Sequence, residues 1–359
     1  MTVICIYGIL YISDLPYRKH GLRALKNPAK LKIQKAGFGM FKKVLSLFLS
    51  AVILAGAFCA CSPTQKKEAG GAYYTFSDSE GNTVNLNSKP QNVAVLLSSL
   101  ADLWQIAGGE VSITVGESVQ RGICPDTVTL VDDSAGKTIN SESLIAAQPD
   151  FVIGSADIDA QKEACELARQ AGIPSAVIKV ESFEDYLGIL KIFTDITGDS
   201  DSYKTNGTDR QERINKLVAA VKDRQSPNIL FIRAGSKYSS TKAKNTKDNF
   251  ACQMLNELGC INIADSVPVL LDGLSVEYIL QENPKYIFIT TMGKESAAKE
   301  YIEELFKTPE WQKLDAVRNE KYTFLPKDLF HFKPNDDWDK AYEYLINILY
   351  PEIDTNGIK

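Results

Sequence analysis

Residues 327–333 of this chain, Lys-Asp-Leu-Phe-His-Phe-Lys, place two aromatic rings, one imidazole and two cations in a single short segment. Phe330, His331, Phe332 and Lys333 could together form a site wall that gives a small molecule flat apolar contact and a few polar anchors. Phe330 and Phe332 serve equally well as core residues docking a loop. A second group, Arg233, Lys237, Lys242, Lys244 and Lys247, is a basic cluster that would attract a carboxylate or phosphate. Arg233 directly follows an apolar run and is its first candidate, whereas the distal three lysines read as a solvated loop. The chain has two histidines, His20 and His331, and a zinc or manganese site built from several convergent His ligands is a poor match to that count. No Gly-x-Ser-x-Gly, His-Glu-x-x-His or phosphate-binding glycine loop followed by Lys occurs, so no catalytic motif points to an enzyme. A hydrolytic Asp/Glu pair has no fixed spacing, which keeps an extracytoplasmic enzyme as the alternative.

The elements that would position these residues begin after an address. Residues 1–60 hold nine Lys/Arg and one Asp, leaving 31 basic and 44 acidic residues beyond them. A remainder that acidic repels phosphate backbones, so nucleic acid is not an expected partner. Met40-Phe-Lys-Lys opens a mostly apolar run of about fifteen residues that ends at Cys59-Ala-Cys61, a secretory pattern too short to span a bilayer. A Cys at that place resembles a lipoprotein signal, with Cys61 the lipidated residue because Ala60 before it is small. The expected organisation is therefore an upstream extension that precedes the true start (1–39), signal (40–60), tether (61–72), N-terminal lobe (73–200), interlobe helix (201–226), C-terminal lobe (227–353) and tail (354–359). Four cysteines remain beyond the signal, Cys124, Cys165, Cys252 and Cys260, and read as small buried hydrophobes.

Residues 74–86 alternate around Glu80-Gly81, a hairpin pattern. Short apolar runs then follow at 93–97, 112–115, 151–153 and 176–180, with helical patterns at 101–107, 141–147 and 160–171 between them. A second set has strands at 229–233, 286–290 and 322–325 and helices at 249–258, 276–281, 296–306 and 337–349. Strands alternating with helices predict an α/β fold of two parallel-sheet, Rossmann-like lobes. Residues 202–224 carry Ile214, Leu217, Val218 and Val221 at helical spacing, enough for one long interlobe helix of about 35 Å, with Gly207 moving its start toward Thr208. Ligands of parallel sheets lie beyond the carboxyl ends of the strands, here Ser98, Ser99, 116–121 with Arg121, 132–134 and 155–157 on the first lobe. On the second lobe the same rule marks Arg233, Lys237, Tyr238, Thr291, Met292 and 327–333.

One pattern is written twice. Asn140-Ser-Glu142 through Gln148-Pro149 matches Ser275-Val-Glu277 through Asn283-Pro284: a capping residue, a Glu two later, and a Pro seven after that. Each reads as a short capped helix stopped by Pro before a buried strand.

With that repeat in place the chain resembles the bacterial ABC-transporter solute-binding proteins of the iron-siderophore, cobalamin and haem class. The markers are Phe76-Ser-Asp78 through Gly81-Asn-Thr-Val84, Lys89-Pro90-Gln-Asn-Val93, Ser141-Glu142, Gln148-Pro149-Asp150, Gly172-Ile-Pro174, Ala316-Val317-Arg-Asn, Lys333-Pro334-Asn335, Trp338 and Leu349-Tyr350-Pro351. The resemblance implies a ligand cleft between the lobes and a lipid-anchored, monomeric, extracytoplasmic component of an importer. It would deliver an iron chelate, haem or cobalamin to an ABC permease dimer with its ATPase subunits, with no resident cofactor or metal. It also implies that Glu142 and Glu277 dock to permease arginines. A direct haem-iron ligand, if one exists, would be His331 or a tyrosine such as Tyr238.

Overall fold

The computed structural model describes residues 71–358, so the signal, lipidation and most of the tether readings lie outside the described residues. Strands β1 (Tyr74–Ser77) and β2 (Thr83–Leu86) form the expected antiparallel hairpin. Gly81 takes the left-handed conformation, φ 83°, that its turn requires. The Asp78 carboxylate closes that turn on the Glu80 and Asn82 amides and also accepts from the Val177 amide, stitching the hairpin to the first lobe.

That lobe alternates strands β3 (Val93–Val95), β4 (Ile113–Val115), β5 (Thr129–Asp132), β6 (Phe151–Ser155) and β7 (Ser175–Ile178) with helices α1 (Ser98–Ile106), α2 (Gly116–Gln120), α3 (Ser141–Ala146) and α4 (Asp159–Gln170). The sheet is wholly parallel in the order β5-β4-β3-β6-β7. Helix α5 (Phe183–Thr197) follows. Ser182 and Asp185 form a reciprocal capping box at its start, and Gly198, φ 83°, ends it.

Next come α6 (Ser200–Tyr203), a π turn (Lys204–Thr208) and α7 (Asp209–Val221). Gly207 therefore does not delay the helix as its propensity predicts. It sits within the π turn, where a Cβ would come within 3.1 Å of the Leu187 side chain. The Tyr186 hydroxyl takes up the Asn206 carbonyl at 3.0 Å, satisfying one group that the altered ladder turns aside.

The second lobe contains β8 (Asn228–Ala234), β9 (Lys242–Ala243), α8 (Phe250–Glu257), β10 (Ile261–Asn262), α9 (Ile263–Ser266), α10 (Val276–Glu282), β11 (Tyr286–Thr291), α11 (Glu295–Phe306), α12 (Asp315–Arg318), β12 (Tyr322–Phe324), α13 (Lys327–Phe330) and α14 (Trp338–Leu349). Strands β10-β8-β11-β12 are parallel, while β9 pairs antiparallel with β8. One apolar cluster runs from the hairpin and α1 through α5 and α7 to α8 and α14. Separate clusters cover the other face of each sheet.

Helix α7 is fastened to α14 by charge. Arg213 reaches Asp339 at 2.5 Å and Glu343 at 2.7 Å, and Arg210 reaches Asp339 at 3.2 Å. The Asp339 side chain is fully buried, so it needs both arginines to offset its lost hydration. Cys124, Cys165, Cys252 and Cys260 are all buried free thiols.

Candidate functional site

The carboxyl ends of both sheets face a cleft that the segment between α13 and α14 crosses. Ser98 and Ser99 are buried in the first turn of α1, which begins three residues before the 101–107 pattern predicts. The Ser98 hydroxyl donates to Glu117 at 2.6 Å and accepts from Arg121 at 2.9 Å, so the short helix α2 delivers Arg121 beside α1. From the opposite lobe the Phe332 ring lies under the Arg121 guanidinium at 3.8 Å, a cation–π contact worth about 0.5–1 kcal/mol. Lys333 reaches Glu181 at 3.3 Å, and its amide donates to Ser99 Oγ at 3.3 Å. Asn335, buried and held at φ 48°, donates both amide hydrogens to the first lobe, to the Ser99 carbonyl at 2.9 Å and to Asp102 at 2.7 Å.

Behind this crossing lies a cavity of ≈ 190 Å³. Arg233 and Thr290 enter it from the ends of β8 and β11, Phe330 from the end of α13, His331 and Lys333 from the crossing segment, and Glu181 from the far side. The volume is below the roughly 300–1,000 Å³ typical of small-molecule sites, so a larger ligand requires the crossing contacts to part. A hollow of ≈ 220 Å³ at the opposite end of the first lobe belongs to packing: Lys89 there donates to the Thr197 carbonyl at 2.6 Å, capping the end of α5.

The electrostatics of the cavity are uneven. Lys244 is paired with Asp248 at 3.1 Å, and Lys333 with Glu181. Among the described residues no carboxylate forms an ion pair with Arg233 or Arg121. Burial lowers the pKa of both guanidiniums, with Asp248 opposing at Arg233 and Asp102 the leading opposition at Arg121. Each would therefore gain from an anion brought against it. Burial also lowers the pKa of His331 to about 4, reinforced by Lys327, Arg233, Arg121 and Lys137. The imidazole is neutral at pH 7 and lies in the field of four cations.

Not every residue chosen from sequence reaches the cavity. Lys237 is exposed, and the Tyr238 ring folds over Gly273, whose missing Cβ leaves the room for it. Tyr238 is itself 58% exposed. Met292 is partly exposed and tied to the Ala234 carbonyl through its amide, outside the cavity wall. Phe330 lines the cavity and is also core, packed on Tyr344 at 5.6 Å between ring centres. Glu181, Asp248, Asn249, Phe250 and Thr290 were not singled out from sequence, although Glu181 lies just past β7, where the strand-end rule points. Glu142 and Glu277 are exposed in the first turns of α3 and α10, and neither forms an ion pair.

The periplasmic binding protein family model matches residues 93–329. The chain belongs to that family: it is an extracytoplasmic solute-binding protein of the ABC-transporter type, and not an enzyme. Its fold is shared with Staphylococcus aureus SirA complexed with staphyloferrin B (TM-score 0.61, 17% identity, 79% of this chain and 99% of that one). It is shared also with the periplasmic haem-binding protein RhuT of Roseiflexus sp. RS-1 (0.60, 15%, 73% and 98%). A third neighbour is Helicobacter pylori CeuE in its Ni-His complex (0.61, 17%, 79% and 92%). No curated protein matches the chain.

Proposed function

We propose that this protein captures a metal chelate bearing carboxylates, of the kind iron-scavenging bacteria secrete, and hands it to an ABC permease. The observation that carries this reading is the pair of half-buried guanidiniums, Arg121 and Arg233, one on each lobe and neither ion-paired, with neutral His331 near both. Two such groups suit two anionic arms of one ligand, because charge-assisted bonds to Arg are strong and directional. Among the described residues no group of three or more His, Cys, Asp or Glu could hold a bare metal ion, so a metal cargo would arrive with its chelator's own donors. Haem and cobalamin are less suited to this cleft. One face of Phe332 is already covered by Arg121, and Phe330 is sealed in the core. Siderophore and haem binding in the structural neighbours supports the general class.

Lipid anchoring through Cys61 and docking through Glu142 and Glu277 complete the proposal. The two carboxylates are exposed, one on each lobe, and free to pair with cations on two permease subunits. The test is thermal shift of residues 63–359 against ferric citrate, hydroxamate and catecholate chelates, haemin and cobalamin. We expect stabilisation by a carboxylate chelate, with affinity falling roughly ten- to hundredfold in Arg233→Ala, the worth of one charged hydrogen bond. Stabilisation by cobalamin or haemin alone, undiminished in Arg233→Ala, would reject the reading.

A further inference from the structure

Three cations line the cavity, and two of them already hold a carboxylate. Lys244 is paired within its own lobe, by Asp248 four residues on. Lys333 is different, because its partner comes from the other lobe. Glu181 follows β7 at the edge of α5, whereas Lys333 belongs to the segment that leads into α14.

The two side chains are 19% and 20% exposed, and Lys333 Nζ also lies 4.8 Å above the Phe250 ring. An ammonium in that position takes whatever anion the cleft offers. Its separation from Glu181, 3.3 Å, is longer than the roughly 2.7–2.9 Å of a strong ammonium–carboxylate bond. Glu181 is itself poorly placed for a carboxylate. Burial pushes its pKa up, Lys333 holds it down in part, and Asp157 adds to the rise. Asp157 has Lys179 3.9 Å away at the rim. The pair thus joins two groups that both lost water to enter the cleft, and it stands where a ligand's anionic arm would lie.

We propose that Glu181 is the internal counter-ion of the cleft: it holds Lys333 across the lobes until an anionic group of the ligand displaces it. Glu181 then sets specificity. A ligand must offer Lys333 a better-placed anion than one monodentate carboxylate, and neutral ligands of the same shape are refused because they leave the lysine on Glu181. The inference rests on the carboxylate-chelate reading and deepens it.

Calorimetric titration with metal-free citrate tests it in the wild type, Glu181→Gln, Lys333→Met, the double variant and Arg233→Ala. Glu181→Gln is expected to bind citrate roughly tenfold more tightly than the wild type, as loss of a competing carboxylate should. The gain should vanish when Lys333→Met is added, since the competition runs through that lysine. Affinity in Glu181→Gln that equals or falls below wild type, or a gain that survives in the double variant, overturns the proposal. If Arg233→Ala loses citrate while Glu181→Gln behaves as wild type, the anion reading stands and the counter-ion role falls. Citrate binding to none of the five proteins removes both.

Discussion

The His331 imidazole shows how far neighbours can move one group. Its folded pKa, about 4, lies below the ordinary 6.5 because burial and then Lys327, Arg233, Arg121 and Lys137 all disfavour its charged form. A depressed folded pKa contributes stability that is complete above pH 6.5 and is lost as pH falls through the folded value. Thermal unfolding between pH 7 and pH 4 should therefore fall more steeply for the wild type than for His331→Gln. Parallel curves for the two proteins would show that His331 is not held neutral. Arg121, Arg233, His331, Phe332 and Lys333, which the structure gathers around the cleft, were all marked in the sequence by strand ends or composition. Their partners were not legible. Stacking of Arg121 on Phe332 and pairing of Lys333 with Glu181 join positions more than 150 residues apart, and single-sequence spacing carries no distance of that kind. Lys237 and Tyr238 failed for a related reason. The loop after β8 turns outward at Gly235, where a Cβ would meet Ser240, so nearness in sequence to Arg233 does not bring them to the cavity.

At the level of elements, the repeated unit carries the clearest message. Just beyond α3 and α10 the chain takes positive φ at a non-glycine residue six positions after the shared Glu, Gln148 at 50° and Asn283 at 40°, and a proline follows each. The match seen in sequence is thus a match of backbone conformation as well. It is incomplete at the start: the Asn140 side chain accepts from the Ser143 amide, whereas the Ser275 side chain makes no such cap. Because Glu142 and Glu277 are exposed and outside any ion pair, replacing both with Ala should abolish ligand uptake by cells while leaving affinity of the isolated protein unchanged. A matching loss of affinity would instead place them in ligand binding. Helix α5 was overlooked although its marks are present in Ser182-Phe-Glu-Asp185 and beyond: Ser182 and Asp185 stand at capping-box spacing, and Glu184, Gly188, Lys191 and Asp195 form one exposed face. Strand β5 was missed because it is an edge strand with Thr129 and Leu130 exposed, so it lacks the apolar run that marks its neighbours, and β9 and β10 because they are short. The two-residue β9 and β10 exist only through their pairing with β8.

Across the whole molecule, two parallel sheets are tied by the α6–α7 spine, by α14 and by the segment from Phe332 to Asn335. The spine was foreseen from its apolar spacing, but its π turn depends on the tertiary partners of Gly207 and Asn206 and leaves no mark in local propensity. Ion pairs from Arg210 and Arg213 to Asp339 hold the spine to α14 and resist large excursions, so ligand admission falls to the crossing contacts. The central claim is that an iron chelate binds between Arg121 and Arg233. It is tested most directly by a crystal grown with the stabilising ferric carboxylate chelate and measured at the iron absorption edge. A single iron peak is expected in the cleft, with chelate oxygens in hydrogen-bond reach of both guanidiniums and Lys333 turned from Glu181 to the ligand. An iron peak on the outer surface, or a cleft peak whose chelate touches neither arginine, would contradict it.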